Sequence, residues 1–82
     1  MTIPTATITA RLFAGLETQT AERRTQHSFP LTETPTVGAV VARLGLEPGA
    51  TGIVLVNGVH AAGERALEPG DEVSLFPPLG GG

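Results

Sequence analysis

Thr34-Pro35-Thr36-Val37-Gly38-Ala39-Val40-Val41-Ala42-Arg43-Leu44-Gly45-Leu46 is the stretch in which the apolar residues recur at helical spacing. Val37, Val40, Val41 and Leu44 sit at i, i+3, i+4 and i+7, which puts them on one helical face. Thr34 can cap this helix with Pro35 at its first position, or Thr36 can cap it one step later. Arg43 falls in the last turn, where a cation suits the helix dipole. Gly45 fits a left-handed stop, and Leu46 can close an apolar contact behind it. A helix of about ten residues does not persist alone in water. It needs a sheet to lie on.

The flanking segments supply that sheet. From Thr5 to Phe13, Ala6, Ile8, Ala10 and Leu12 share one parity and Thr5, Thr7, Thr9 and Arg11 the other, the pattern of a half-buried strand. Ala14 to Thr20 reads as a turn or one short helical turn. A second strand over Thr25–Leu31 turns Phe29 and Leu31 inward, and Pro30, which has no N–H, sends it to an edge or ends it. After the helix, Glu47-Pro48-Gly49-Ala50 has the Pro-Gly centre of a type II turn. Ile53-Val54-Leu55-Val56 is apolar on both parities, as in a strand covered on both faces over part of its length. Asn57-Gly58 is a hairpin signal returning the chain through Val59, His60 and Ala61. A second Pro-Gly turn at Pro69-Gly70 leads into Glu72–Phe76, with Val73 and Leu75 on one parity, and Pro77-Pro78 stops that strand. The order strand, strand, helix, strand, short strand, strand predicts an α+β fold of the β-grasp (ubiquitin-like) kind, a mixed four- to five-stranded sheet with one main helix across it. The helix crossover lets the first and last strands pair in parallel.

At 82 residues the chain has room for one small domain. It is 40% hydrophobic and 16% charged, which excludes a disordered polyelectrolyte. Having no cysteine, it has no disulfide, zinc finger, iron–sulfur cluster or thiol nucleophile. A net charge of −3, no Trp or Tyr and 3 Phe argue against nucleic-acid binding. With no membrane-length apolar run and no basic-then-apolar start, a cytoplasmic domain is expected. All 5 cations are arginines, so the N-terminus is the chain's one amine.

Residues that could carry chemistry are few. His27 shares the parity of Phe29 and Leu31 and reads as a hydrogen-bonded strand residue; His60, just after a turn, reads as a surface residue. Two histidines without carboxylates at ligand spacing do not make a metal site. Glu64, Glu68, Asp71 and Glu72 read as a solvated face or as an acidic patch that docks on a basic partner. No phosphate-binding glycine motif is present, and neither Ser28 nor Ser74 has an identifiable base. What remains is Phe76-Pro77-Pro78-Leu79-Gly80-Gly81-Gly82. Residues 1–78 form the expected domain and 79–82 a flexible glycine-rich tail. Such an end reads either as frayed chain or an appended remnant, or as a slim segment that threads a channel too narrow for side chains. Extended at 3.3–3.6 Å per residue, Pro77 to Gly82 reaches roughly 20 Å.

These residues resemble the MoaD/ThiS-like sulfur carriers, typified by the small subunit of molybdopterin synthase and the thiamine-pathway carrier. The resemblance lies in Leu12-Phe13-Ala14-Gly15-Leu16, Thr36-Val37, Val56-Asn57-Gly58 and, most specifically, Leu67-x-x-Gly70-Asp71-Glu72-Val73-x-x-Phe76-Pro77-Pro78-Leu79-Gly80-Gly81-Gly82. It covers nearly the whole chain. Phe-Pro-Pro favours the molybdopterin branch, and Leu79 and Gly80 fill the two places between Pro-Pro and Gly-Gly. Glu17 to Arg24 matches less well. The resemblance implies a carrier, not an enzyme, and no cofactor bound by this chain. A ubiquitin-activating-type adenylyltransferase would use ATP and Mg²⁺ to adenylate the carboxylate of Gly82. Sulfur from a persulfide donor would then give a thiocarboxylate, which the large subunit of molybdopterin synthase would direct at a pterin precursor. Gly80 and Gly81 would thread the channel, while Phe76, Pro77, Pro78 and Leu79 would bind the partner. A sulfur carrier of thiamine or another sulfur-containing metabolite pathway, a ubiquitin-like protein modifier and a β-grasp interaction domain without tail chemistry are the alternatives.

Overall fold

The computed structural model describes residues 6–47 and 49–78. Seven elements follow in order: β1 (Thr7–Leu12), a 3₁₀ turn (Leu16–Gln19), β2 (Gln26–Pro30), α1 (Val37–Arg43), β3 (Ile53–Val56), β4 (Val59–His60) and β5 (Glu72–Phe76). The strands form one mixed sheet in the order β2-β1-β5-β3-β4. This is the β-grasp architecture. β1 and β5 are parallel neighbours at its centre, with Leu12 opposite Leu75, and the other pairings are antiparallel. β2 is an edge strand and ends at Pro30, where no N–H is available to extend a ladder.

The period-two reading of β1 holds for Ile8, Ala10 and Leu12, which are buried under the helix. Ala6 differs: it is exposed, because it precedes the strand, although its carbonyl still accepts from the Leu31 N–H at 2.9 Å. Thr5 and Pro48 lie outside the described residues.

Thr36, not Thr34, caps α1. Its Oγ1 accepts from the Ala39 N–H at 3.2 Å. Thr34 is fully buried instead, and its hydroxyl donates to the Pro30 carbonyl at 3.1 Å. A helix start leaves four N–H groups without intrahelical partners. Here the Val37 N–H donates to Arg65 O at 3.0 Å and the Gly38 N–H to Gly63 O at 2.8 Å, so the 63–65 loop completes the cap. Leu44 and Gly45 close the other end, with Gly45 at φ 76° and bonds from Gly45 N–H to Ala42 O and from Leu46 N–H to Val41 O. That pair is a Schellman motif, with Leu46 buried behind it. Val37, Val40 and Leu44 are buried and Val41 packs against them, so the helical face lies as its spacing predicts.

The Asn57-Gly58 hairpin has left-handed φ at both central residues, 52° and 83°, as a type I′ turn requires. Among the described residues no helix is long and apolar enough to cross a membrane.

Candidate functional site

β5 alternates strictly. Val73 and Leu75 are fully buried under the helix, while Glu72, Ser74 and Phe76 lie half-buried on the opposite face. Register extends that outer face sideways. Ile53 stands opposite Phe76 and Leu55 opposite Ser74, so both β3 residues face away from the helix and are half-buried there. On the other side, the parallel pairing of Leu12 with Leu75 brings Phe13 beside Phe76. The two rings stack, with centroids 4.7 Å apart and planes 12° from parallel.

Phe13 is held there by its backbone. Its N–H donates to Leu75 O at 3.0 Å, after which Ala14 and Gly15 both take left-handed φ, 54° and 86°, and end the strand. The Leu16 N–H then returns to Phe13 O at 3.1 Å. A large ring at a pinned strand end, 38% exposed, is unusual enough to mark a surface. Phe76 therefore leans on Phe13 across the sheet. The family resemblance places Phe76 in the partner-binding set and gives no such role to Phe13. Continuing the parallel register by one residue past Leu12 was the signal that would have found it.

Beyond Phe76 the chain is guided by β3. The Gly52 N–H donates to the Phe76 carbonyl at 2.7 Å. Pro77 and Pro78 follow, half-buried and exposed respectively, and Pro78 passes directly over Gly52. Leu79, Gly80, Gly81 and Gly82 lie outside the described residues.

The remaining candidates have structural places. His27 is buried on β2; its Nε2 donates to Arg24 O at 3.1 Å and its ring stacks on Phe29. His60 is exposed on β4, the opposite edge. Among the described residues no group of three His, Asp or Glu could hold a metal ion. The acidic face breaks up. Glu64 and Glu68 are exposed, and Glu72 lies 3.5 Å from Arg11, but Asp71 is buried. The Glu68 N–H donates to its Oδ2 at 2.8 Å and Asn57 Nδ2 to its Oδ1 at 2.9 Å. Asn57 Oδ1 in turn accepts from the Glu72 N–H at 2.9 Å, tying the hairpin turn to the start of β5. The Glu68 bond first and the Asn57 bond second hold the Asp71 carboxyl below the usual carboxylate range, against the opposing effect of burial.

The five-stranded mixed sheet with one helix across it is the ubiquitin-like fold. Residues 10–82 match the ThiS family, and the chain belongs to that family of carriers, which are not themselves catalysts. Among solved structures, SAMP1 from Haloferax volcanii is similar at 31% identity and TM-score 0.69, over 93% of this chain and 99% of that one. A structure of small archaeal modifier protein 1 from Haloferax volcanii is similar at 28% identity and TM-score 0.67, over 90% and 99%. Urm1 from Trypanosoma brucei shares the fold, with 23% identity and TM-score 0.67 over 99% and 100%. The comparison with curated proteins finds no match.

Proposed function

We propose that the chain is a cytoplasmic sulfur carrier whose Gly82 carboxylate is converted to a thiocarboxylate for molybdopterin synthesis. The ending Phe76-Pro77-Pro78-Leu79-Gly80-Gly81-Gly82, which follows a central strand beside the Phe13–Phe76 stack, carries this reading. A carboxylate is a poor electrophile, so the activating enzyme must improve it. A Gly82 oxygen attacks the α-phosphorus of Mg²⁺-bound ATP and pyrophosphate leaves. The terminal sulfur of a persulfide then attacks the acyl carbon and AMP departs. A second thiol cleaves the resulting acyl disulfide, becoming disulfide-linked to the donor and leaving the thiocarboxylate. Its anionic sulfur is a nucleophile at neutral pH, which the large synthase subunit would orient towards a pterin precursor. Phe76, Pro77, Pro78 and Leu79 bind the partners, Gly80 and Gly81 pass the channel, and residues 1–78 serve as the domain that presents them.

Incubation with an activating enzyme, ATP, Mg²⁺ and a persulfide donor should add the mass of one oxygen-to-sulfur exchange to the C-terminal peptide. Removal of Gly81 and Gly82 should abolish it. Label on an internal peptide, or retained by the truncated chain, overturns the reading. The likeness to small archaeal modifier protein 1 favours a second reading, transfer of the activated Gly82 to amines of other proteins. Having no lysine, the chain cannot form lysine-linked chains of itself.

A further inference from the structure

We propose that Gly52 is a positioning residue that sets the direction in which the C-terminal segment leaves the domain. Gly15, Gly45, Gly49, Gly58 and Gly70 have left-handed φ, which accounts for glycine at those positions. Gly52 does not: its φ lies outside that region, and it is exposed, so neither backbone conformation nor core packing demands it. The demand comes from the tail. A Cβ at position 52 would lie 2.5 Å from Pro78 Cα, 2.9 Å from Pro78 N and 3.0 Å from Pro77 O. All three are backbone atoms, so no side-chain rotation relieves the clash.

The same residue supplies the last tie between β3 and β5. Pro77 and Pro78 have no N–H to donate, and the bond from Gly52 N–H to Phe76 O at 2.7 Å comes from the β3 side. Above that tie, the two pyrrolidine rings fix φ and carry any displacement onward. Carbon atoms in contact sit about 3.5–4.0 Å apart, so a methyl at 52 displaces Pro78 by roughly 1 Å or more. From Pro78 the four residues to Gly82 reach about 13–14 Å, and a small change of departure angle grows along that length. Misplacement of a reacting group by about 1 Å can cost on the order of a hundredfold in rate. The functional consequence rests on the carrier reading proposed above; the geometric one does not.

Gly52→Ala should therefore keep the parent's melting temperature within a few degrees while lowering kcat for thiocarboxylation about tenfold or more. KM for the activating enzyme should change less than kcat, because Phe13 and Phe76 keep their places although Pro78 moves. Independently of any enzyme, a nitroxide on Gly82→Cys, the only thiol in a cysteine-free chain, reports direction through broadening of domain amides. Gly52→Ala should shift that broadening to a different set of surface amides. Unchanged kcat or an unchanged broadening pattern overturns the proposal. If the parent itself is never activated, the carrier reading falls and the broadening pattern alone decides the role of Gly52.

Discussion

Asp71 is the one buried carboxylate among the described residues, and the hydrogen bonds it accepts determine its pH behaviour. Its carboxyl is held low, so it favours the folded state when ionised. That stabilisation is complete above the unfolded carboxylate pKa of about 4 and is lost as pH falls through the lower folded value. Asp71→Asn leaves one N–H without its acceptor and should cost about 1–3 kcal/mol at pH 7. In urea titrations the variant should also lose less stability than the parent between neutral and acid pH. Equal losses would mean that Asp71 contributes nothing to the acid response. Read from sequence, Asp71 groups with three neighbouring acids as a solvated face or an acidic docking patch, because its side-chain partner Asn57 lies 14 residues away and no local pattern joins them. His27 was legible for the opposite reason: its parity with Phe29 is local, and its partner Arg24 is 3 residues away.

Helix α1 is the element most fully written into its own residues. The apolar spacing, the Thr36 cap, Gly45 and Leu46 all act within one or two turns, and the structure places each where that chemistry requires. What the segment does not contain is its extra capping, since Arg65 and Gly63 come from a loop more than 20 residues later. Val40 is fully buried at the middle of the face. Val40→Asp puts an unpaired carboxylate into the core and should cost about 3 kcal/mol or more, a large share of the ~5–15 kcal/mol typical of a domain. The corresponding fall in Tm exceeds about 10 °C for a chain this small. A variant that melts with the parent would show that α1 does not lie on the sheet through this face. The strands were equally readable one by one, and their central parallel pair followed from the helix crossover. The stacking of Phe13 on Phe76 was not, because it depends on register between β1 and β5 and not on either strand alone.

The molecule as a whole divides its work between the two faces of one sheet. The helix-covered face carries the buried core, Ile8, Val37, Val40, Val73 and Leu75 among it. Among the described residues the opposite face has no helix and instead presents Phe13, Phe76, Ile53 and Leu55, all close to where β5 leads into Pro77-Pro78. An aromatic pair contributes about 0.5–1.5 kcal/mol beyond its buried area, too little to explain two rings kept at the surface for stability alone. Interface anchors are enriched in aromatics, and an apolar face beside Pro77-Pro78 is where the proposed activating enzyme would gain the most from contact. Phe76→Ala should therefore separate the two faces. Its stability should fall by about 1–2 kcal/mol, the scale of a half-buried ring that loses its stacking partner. Its Kd for the activating enzyme should rise at least ~10-fold, equal to ~1.4 kcal/mol of binding. Phe13→Ala should give a similar loss, and the double variant less than the sum of the two, because each ring orders the other. Calorimetric titration beside thermal melts measures both quantities on the same samples. Unchanged affinity with lowered stability would assign the pair to covering the strand ends, and would move the docking surface elsewhere on the fold.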